Sequence, residues 1–132
     1  MITPVTDDRD TREFFSNAAE GKLVFKSCPE CGRANHPPTP HCPRCGHDRM
    51  VWKESAGRGT VYAWTTVHQQ VIPGFTTPYT IALVTLDDAP EIRLTAYLDG
   101  VPDLAVGQPM RVWFETRTDG VTLPQWRPEV PQ

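Results

Sequence analysis

No apolar run in the 132 residues approaches the roughly 20 needed to span a bilayer. The first ten residues, MITPVTDDRD, hold no basic stretch followed by an apolar core, so they do not read as a secretory signal. The expectation is a cytoplasmic protein, in a compartment that keeps thiols reduced. Uninterrupted helical stretches are also scarce, because fourteen prolines and nine glycines punctuate the chain. Catalytic signatures are missing too. There is no GxSxG, HExxH, phosphate-binding loop or dinucleotide-binding glycine pattern. Nor is there an excess of positive charge, since the formal net charge is −3. Residues 61–132 carry four arginines against eight acids, which argues against general nucleic-acid binding. Only residues 20–60 lean the other way, with seven Lys or Arg against four acids.

Cysteine is absent except between residues 28 and 45, where all four occur in CPECGRANHPPTPHCPRCG. The spacing is Cys28-x2-Cys31-x10-Cys42-x2-Cys45. Four thiolates around one tetrahedral zinc need two chelating pairs that face each other. A two-residue gap lets both sulfurs of a pair turn toward one point. Gly32 and Gly46 allow the tight turn beyond each pair, and Pro29 and Pro43 pre-set the turns. A redox dithiol would not call for two matched pairs. Iron in the same cage, as in rubredoxin, shares the geometry and is the alternative to zinc. Four cysteines fill the shell, so His36, His41 and His47 read as surface residues. A closed site leaves no position for water or substrate, so the metal is expected to be structural. It supplies folding energy to a ribbon too small to bury its own core.

Residues 10–20 read as a short helix, capped by Asp10 or Thr11, with Phe14, Phe15, Ala18 and Ala19 on one face. KLVFKS (22–27) and MVWKES (50–55) have strand composition and flank the cysteines. After Gly57 come five strand-like segments, at 57–71, 79–86, 91–98, 110–116 and 121–126, the last cut by Pro124. The connection between the third and fourth has room for one helical turn. Asp87 and Asp88 read as solvated turn residues. The expected fold is mainly β: an N-terminal helical segment (1–21), a rubredoxin-like zinc ribbon (22–55) and a five-stranded OB-fold barrel (56–132).

His68 is the only histidine of the barrel region and reads as a strand-end residue rather than a general base. The loop PGFTTPY combines a glycine hinge, two prolines and the rings of Phe75 and Tyr79, suited to a narrow apolar ligand or a partner protein. No nucleophile, base and oxyanion donor assemble from the sequence, so no catalytic residue is assigned.

The succession EFFSNAAEGKL, the cysteine ribbon, GRGTVYAWTTVH, PGFTTPY, IALVTLD, VGQPMRVWFE and GVTLPQWRP resembles the zinc-ribbon/OB-fold family first catalogued as a domain of unknown function. The resemblance spans about residues 12–128. It implies a non-catalytic accessory subunit of acyl-CoA metabolism, bound to a thiolase-like enzyme such as a thiolase or a lipid-transfer-type aldolase of steroid or fatty acyl side-chain breakdown. Other members are fused or bound to MaoC-like hydratases. The OB-fold would line a passage for the acyl-CoA or its pantetheine arm, and the ribbon would help dock. On that implication Phe75 and Tyr79, with His68 and Trp126, are the positions for ligand or partner contact. Lys22, Lys26, Arg33 and Arg44 would meet CoA phosphates or an acidic partner face. The competing reading is a nucleic-acid-binding ribbon/OB module, with Tyr62, Trp64, Phe75 and Tyr79 as stacking rings.

Overall fold

The computed structural model describes residues 4–129. Among the described residues a single helix, α1 (Arg12–Ala19), precedes eight strands: β1 (Val24–Ser27), β2 (Ala34–Asn35), β3 (Val51–Glu54), β4 (Arg58–Val67), β5 (Tyr79–Leu86), β6 (Ala89–Asp99), β7 (Pro109–Thr116) and β8 (Thr122–Pro128). Among the described residues, no helix is long and apolar enough to cross a membrane.

The helix is shorter than expected and is not capped by its N-cap residue. Thr11 makes no side-chain capping bond. Asp8 does the work one turn earlier, where its Oδ1 accepts from the backbone N–H of Asp10 and Thr11 at 3.0 and 2.8 Å. Ala18 is buried and Phe14 packs on the main core, while Ala19 faces solvent.

The ribbon is a three-stranded antiparallel sheet in the order β2-β1-β3. The short β2 was not evident in the sequence, because two residues carry no periodicity. The inner side chains of the ribbon do not stand alone. Leu23, Phe25 and Ala34 join Val61, Val84, Ile92, Met110 and Trp126 in one buried cluster. Met50 and the buried cysteines form a second, smaller cluster.

Strands β4–β8 form one antiparallel sheet in the order β6-β5-β4-β7-β8. Ala82, Val84 and Leu86 of β5, and Ile92, Leu94 and Ala96 of β6, alternate into the core, as a half-buried strand demands. The OB-type sheet curls but no ladder closes it. Between its edge strands β6 and β8, the Gln125 Oε1 accepts from the Tyr97 backbone N–H at 3.3 Å. Proline is tolerated inside β8 because β8 is an edge strand; Pro124 lies opposite Phe114 without interrupting the pairing. β4 ends at Val67, four residues short of the expected strand, and β6 extends beyond its expected span at both ends. The connection at 100–108 holds a turn rather than a helical segment.

Candidate functional site

The two cysteine pairs form matched knuckles. The Gly32 N–H donates to the Cys28 carbonyl and the Gly46 N–H to the Cys42 carbonyl, both at 2.9 Å. Gly32 and Gly46 take φ of 79° and 78°, a left-handed backbone that explains the glycine in each repeat. The Cys31 N–H donates to the Cys28 sulfur and the Cys45 N–H to the Cys42 sulfur, both at 3.5 Å. All four sulfurs lie within 4.8 Å of one another. The Cys28–Cys45 and Cys31–Cys42 sulfur pairs are 3.6 Å apart. A tetrahedral ion with metal–sulfur bonds of about 2.3 Å requires edges near 3.8 Å, so the four thiols fit one metal ion.

The same hydrogen bonds set the acidities. The Cys45 backbone N–H, with that of Arg44, pulls the Cys42 thiol down to about 6. The Cys31 backbone N–H likewise lowers Cys28. Cys45 goes the other way, to about 12: the His47 backbone N–H favours its thiolate, but burial and the three crowded sulfurs outweigh that bond. Protons alone therefore leave this cage part-thiol, whereas a divalent cation neutralises the repulsion that opposes the last ionisations. Of the nearby histidines, His41 is exposed, His47 approaches Asp48 at 3.8 Å and His36 is half-buried against Phe14.

The aromatic loop builds a second feature. Phe75 rests on Tyr79 and Tyr97, with ring centroids 5.7 and 5.9 Å apart, and Tyr79 stacks on Tyr97 at 5.3 Å. Beside them opens a cleft of about 380 Å³, lined by Phe75, Ile81, Tyr97, Glu115, Leu123 and Gln125 among others. Burial first, and then the Asp99 carboxylate, push the Tyr97 hydroxyl up, so it stays a neutral donor. Val71 and Ile72, earlier in the loop, are 76% and 38% exposed.

Tyr79 is buried at the start of β5, and the Phe75 ring is half-covered. His68 is exposed just beyond β4 and belongs to neither the cage nor the cleft lining. Trp126 lies inside the fold. It is 1% exposed, opposite Val112, and its indole N–H meets no acceptor among the described residues. Lys26 is buried too, with its ammonium 5.3 Å from the Trp52 ring centre, and the Trp52 indole N–H donates to Glu13 of α1. Lys22 lies 3.9 Å from Glu20, whereas Arg33 and Arg44 are exposed.

Residues 15–51 match the family model of the ChsH2 rubredoxin-like zinc ribbon domain, and residues 52–115 match that of the ChsH2 C-terminal OB-fold domain. The chain belongs to the ChsH2 family. Among solved structures, this ChsH2-family chain is similar to one described as an Ltp2-ChsH2(DUF35) aldolase. The match has 33% identity and a TM-score of 0.84, covering 96% of this chain and 100% of that one. A DUF35-family protein of unknown function from Sulfolobus solfataricus shares the fold at 21% identity and a TM-score of 0.63, over 79% of this chain and 77% of its own. Two curated relatives are a probable enoyl-CoA hydratase alpha subunit of Thermomonospora curvata, 38% identical over 95% of this chain, and a 3-oxo-4,17-pregnadiene-20-carboxyl-CoA hydratase alpha subunit of Mycobacterium tuberculosis, 30% identical over 98%. The chain spans 39% and 40% of their respective lengths.

Two site-shaping residues escaped the sequence reading. Tyr97 completes the ring cluster; the alternation of Ile92, Leu94, Ala96 and Leu98 already placed it on the opposite face. Asp88 is no idle turn residue. Its carboxylate accepts from the Ser55 hydroxyl at 3.0 Å and from the Ala56 N–H at 2.8 Å, clasping the junction between ribbon and sheet. No local signal announces that bond, which spans 32 residues of sequence.

Proposed function

We propose that this chain is an accessory subunit that docks on a thiolase-like or lipid-transfer-type aldolase and helps accommodate its acyl-CoA substrate. The observation that carries the reading is the full-length likeness to the ChsH2 chain of an aldolase assembly. In this reading Zn²⁺ occupies the four-thiolate cage in a structural role, held by Cys28, Cys31, Cys42 and Cys45. A site with four protein ligands offers no open coordination position, which favours scaffolding over chemistry at the metal. Exposed Val71 and Ile72 form the docking tip, and the cleft lined by Phe75 and Tyr97 takes the narrow arm of the acyl thioester. The acyl group belongs to steroid or fatty acyl side-chain metabolism, a reading favoured by the pregnadiene-carboxyl-CoA name of one relative.

The hydratase names of both curated relatives favour a second partner class, an acyl-CoA hydratase subunit. Co-expression with candidate partners distinguishes the two. A stable complex with the aldolase, about one zinc per chain and acyl-CoA turnover only in the complex are expected. Val71→Asp with Ile72→Asp should abolish co-purification while leaving the circular dichroism spectrum intact. Turnover by this chain alone, or a complex that forms only with the hydratase, overturns the aldolase reading.

A further inference from the structure

The four sulfurs of the ribbon are not equivalent. Each knuckle buries its first cysteine and turns its second toward solvent. Cys28 and Cys42 are 2% and 3% exposed, whereas Cys31 is half-buried and Cys45 is exposed. The first sulfur of each knuckle is also the one that accepts the backbone N–H of its neighbour, from Cys31 and from Cys45, at 3.5 Å. Burial and those bonds both make Cys28 and Cys42 slow to react. Cys45 is the member of the cage that a solute reaches first.

Two short sulfur contacts run crosswise between the knuckles, Cys28 to Cys45 and Cys31 to Cys42, both 3.6 Å. A disulfide needs about 2.05 Å between its sulfurs, so rotation of two side chains has about 1.5 Å to close. A Cys28–Cys45 bond would tie together residues 17 apart in sequence, as a shared metal ion does. A bond inside either Cys-x2-Cys pair would tie a knuckle only to itself.

We propose that the cage is an oxidant-sensitive switch, with Cys45 as the attacking sulfur and Cys28 as its resolving partner. The inference rests on the reading that a divalent ion fills the cage, and the oxidant is hydrogen peroxide. The Cys45 thiolate attacks one peroxide oxygen. The O–O bond breaks, leaving a sulfenic acid on Cys45 and releasing hydroxide. The Cys28 thiolate then attacks the sulfenic sulfur; the S–S bond forms and a second hydroxide leaves. Each hydroxide takes a proton from solvent. The two sulfurs have lost two electrons, and the peroxide has become two waters. Two of the four metal ligands are then gone, so the cage releases its ion with the charge unchanged. A second equivalent joins Cys31 to Cys42 in the same way. A dithiol reductant reverses both bonds by exchange. The fold survives the switch, because Leu23, Phe25 and Ala34 keep the ribbon in the main core and the crosswise bond holds the knuckles together.

The test treats the zinc-loaded full chain with hydrogen peroxide. Released zinc is followed with a chromogenic chelator, and disulfides are mapped by mass spectrometry after alkylation without reduction. About one zinc per chain should leave in step with a Cys28–Cys45 linked peptide. Dithiothreitol with added zinc should restore the cage. Amides of residues 28–46 should exchange more slowly in the oxidised chain than in one stripped by a chelator alone. Cys45→His keeps a four-ligand shell without the attacking sulfur, so it should hold its zinc at a peroxide dose that empties the parent chain. The map of the parent chain decides the pairing even where that variant fails to fold. Bonds confined to Cys28–Cys31 and Cys42–Cys45, or a Cys31–Cys42 bond that precedes Cys28–Cys45, overturn the assignment. Zinc bound but kept under peroxide sinks the switch and leaves the structural metal standing. A chain that takes up no zinc sinks both.

Discussion

His36 couples the helix to the ribbon through a group that titrates. Its ring lies 5.3 Å from that of Phe14, and burial holds its pKa below the ordinary 6.5. In the unfolded chain the imidazole takes up its proton near 6.5; in the fold it does so only at lower pH. Between those values the unfolded state binds more protons, so stability rises with pH there and is lost on acidification. Urea midpoints are expected to fall as pH drops below 6.5, and His36→Gln should flatten that slope. An unchanged slope in the variant would assign the acid sensitivity to the thiolate cage instead. At this scale the four cysteines were legible from sequence, because chelation chemistry fixes their spacing locally and Gly32 and Gly46 announce the turns. The roles of Lys26 and Trp126 were not. Whether a lysine lies over Trp52, or a tryptophan faces inward, depends on which strand comes to lie beside it.

Between elements, the decisive joint is the short segment from Ser55 to Gly57. The Ser55 N–H donates to the Leu23 carbonyl at 2.8 Å, and the Gly57 N–H to the Ser55 hydroxyl at 3.1 Å. Asp88, from the turn between β5 and β6, holds both the Ser55 hydroxyl and the Ala56 N–H. Gly57 itself has a φ of 77°, and a Cβ there would stand 2.5 Å from Val112 Cγ1. Two bonds to a carboxylate imply that Asp88→Ala costs about 1–3 kcal/mol in equilibrium unfolding. Asp88→Asn, which keeps one acceptor oxygen, should cost less. A loss below the error of the measurement in both variants would make the clasp incidental. The strands of the larger sheet were legible through their Val, Ile, Thr and aromatic content. Their ends were not, since β4 stops where the loop begins to fold back on Tyr97.

Over the whole molecule, the ribbon and the OB-type sheet share one core, as Leu23, Phe25 and Ala34 sit among barrel residues. Metal is then one of two anchors for the ribbon, rather than its sole source of order as its size suggested. Removing the ion with a strong chelator should open the knuckles at 28–46 to hydrogen exchange, while amides of β4–β7 stay protected and the melting temperature falls. Global loss of protection would return the metal to its role as sole support.

The gap between β6 and β8 carries a consequence for crowded conditions. An uncovered row of amides and carbonyls is a template on which a stray chain can add itself as another strand. Pro90 in β6 and Pro124 in β8 carry no N–H, so neither edge strand has a full set of backbone donors to offer. Exchanging these prolines for ordinary residues would mend the rows, and the molecule would begin to recruit copies of itself where it now accepts only side-on company.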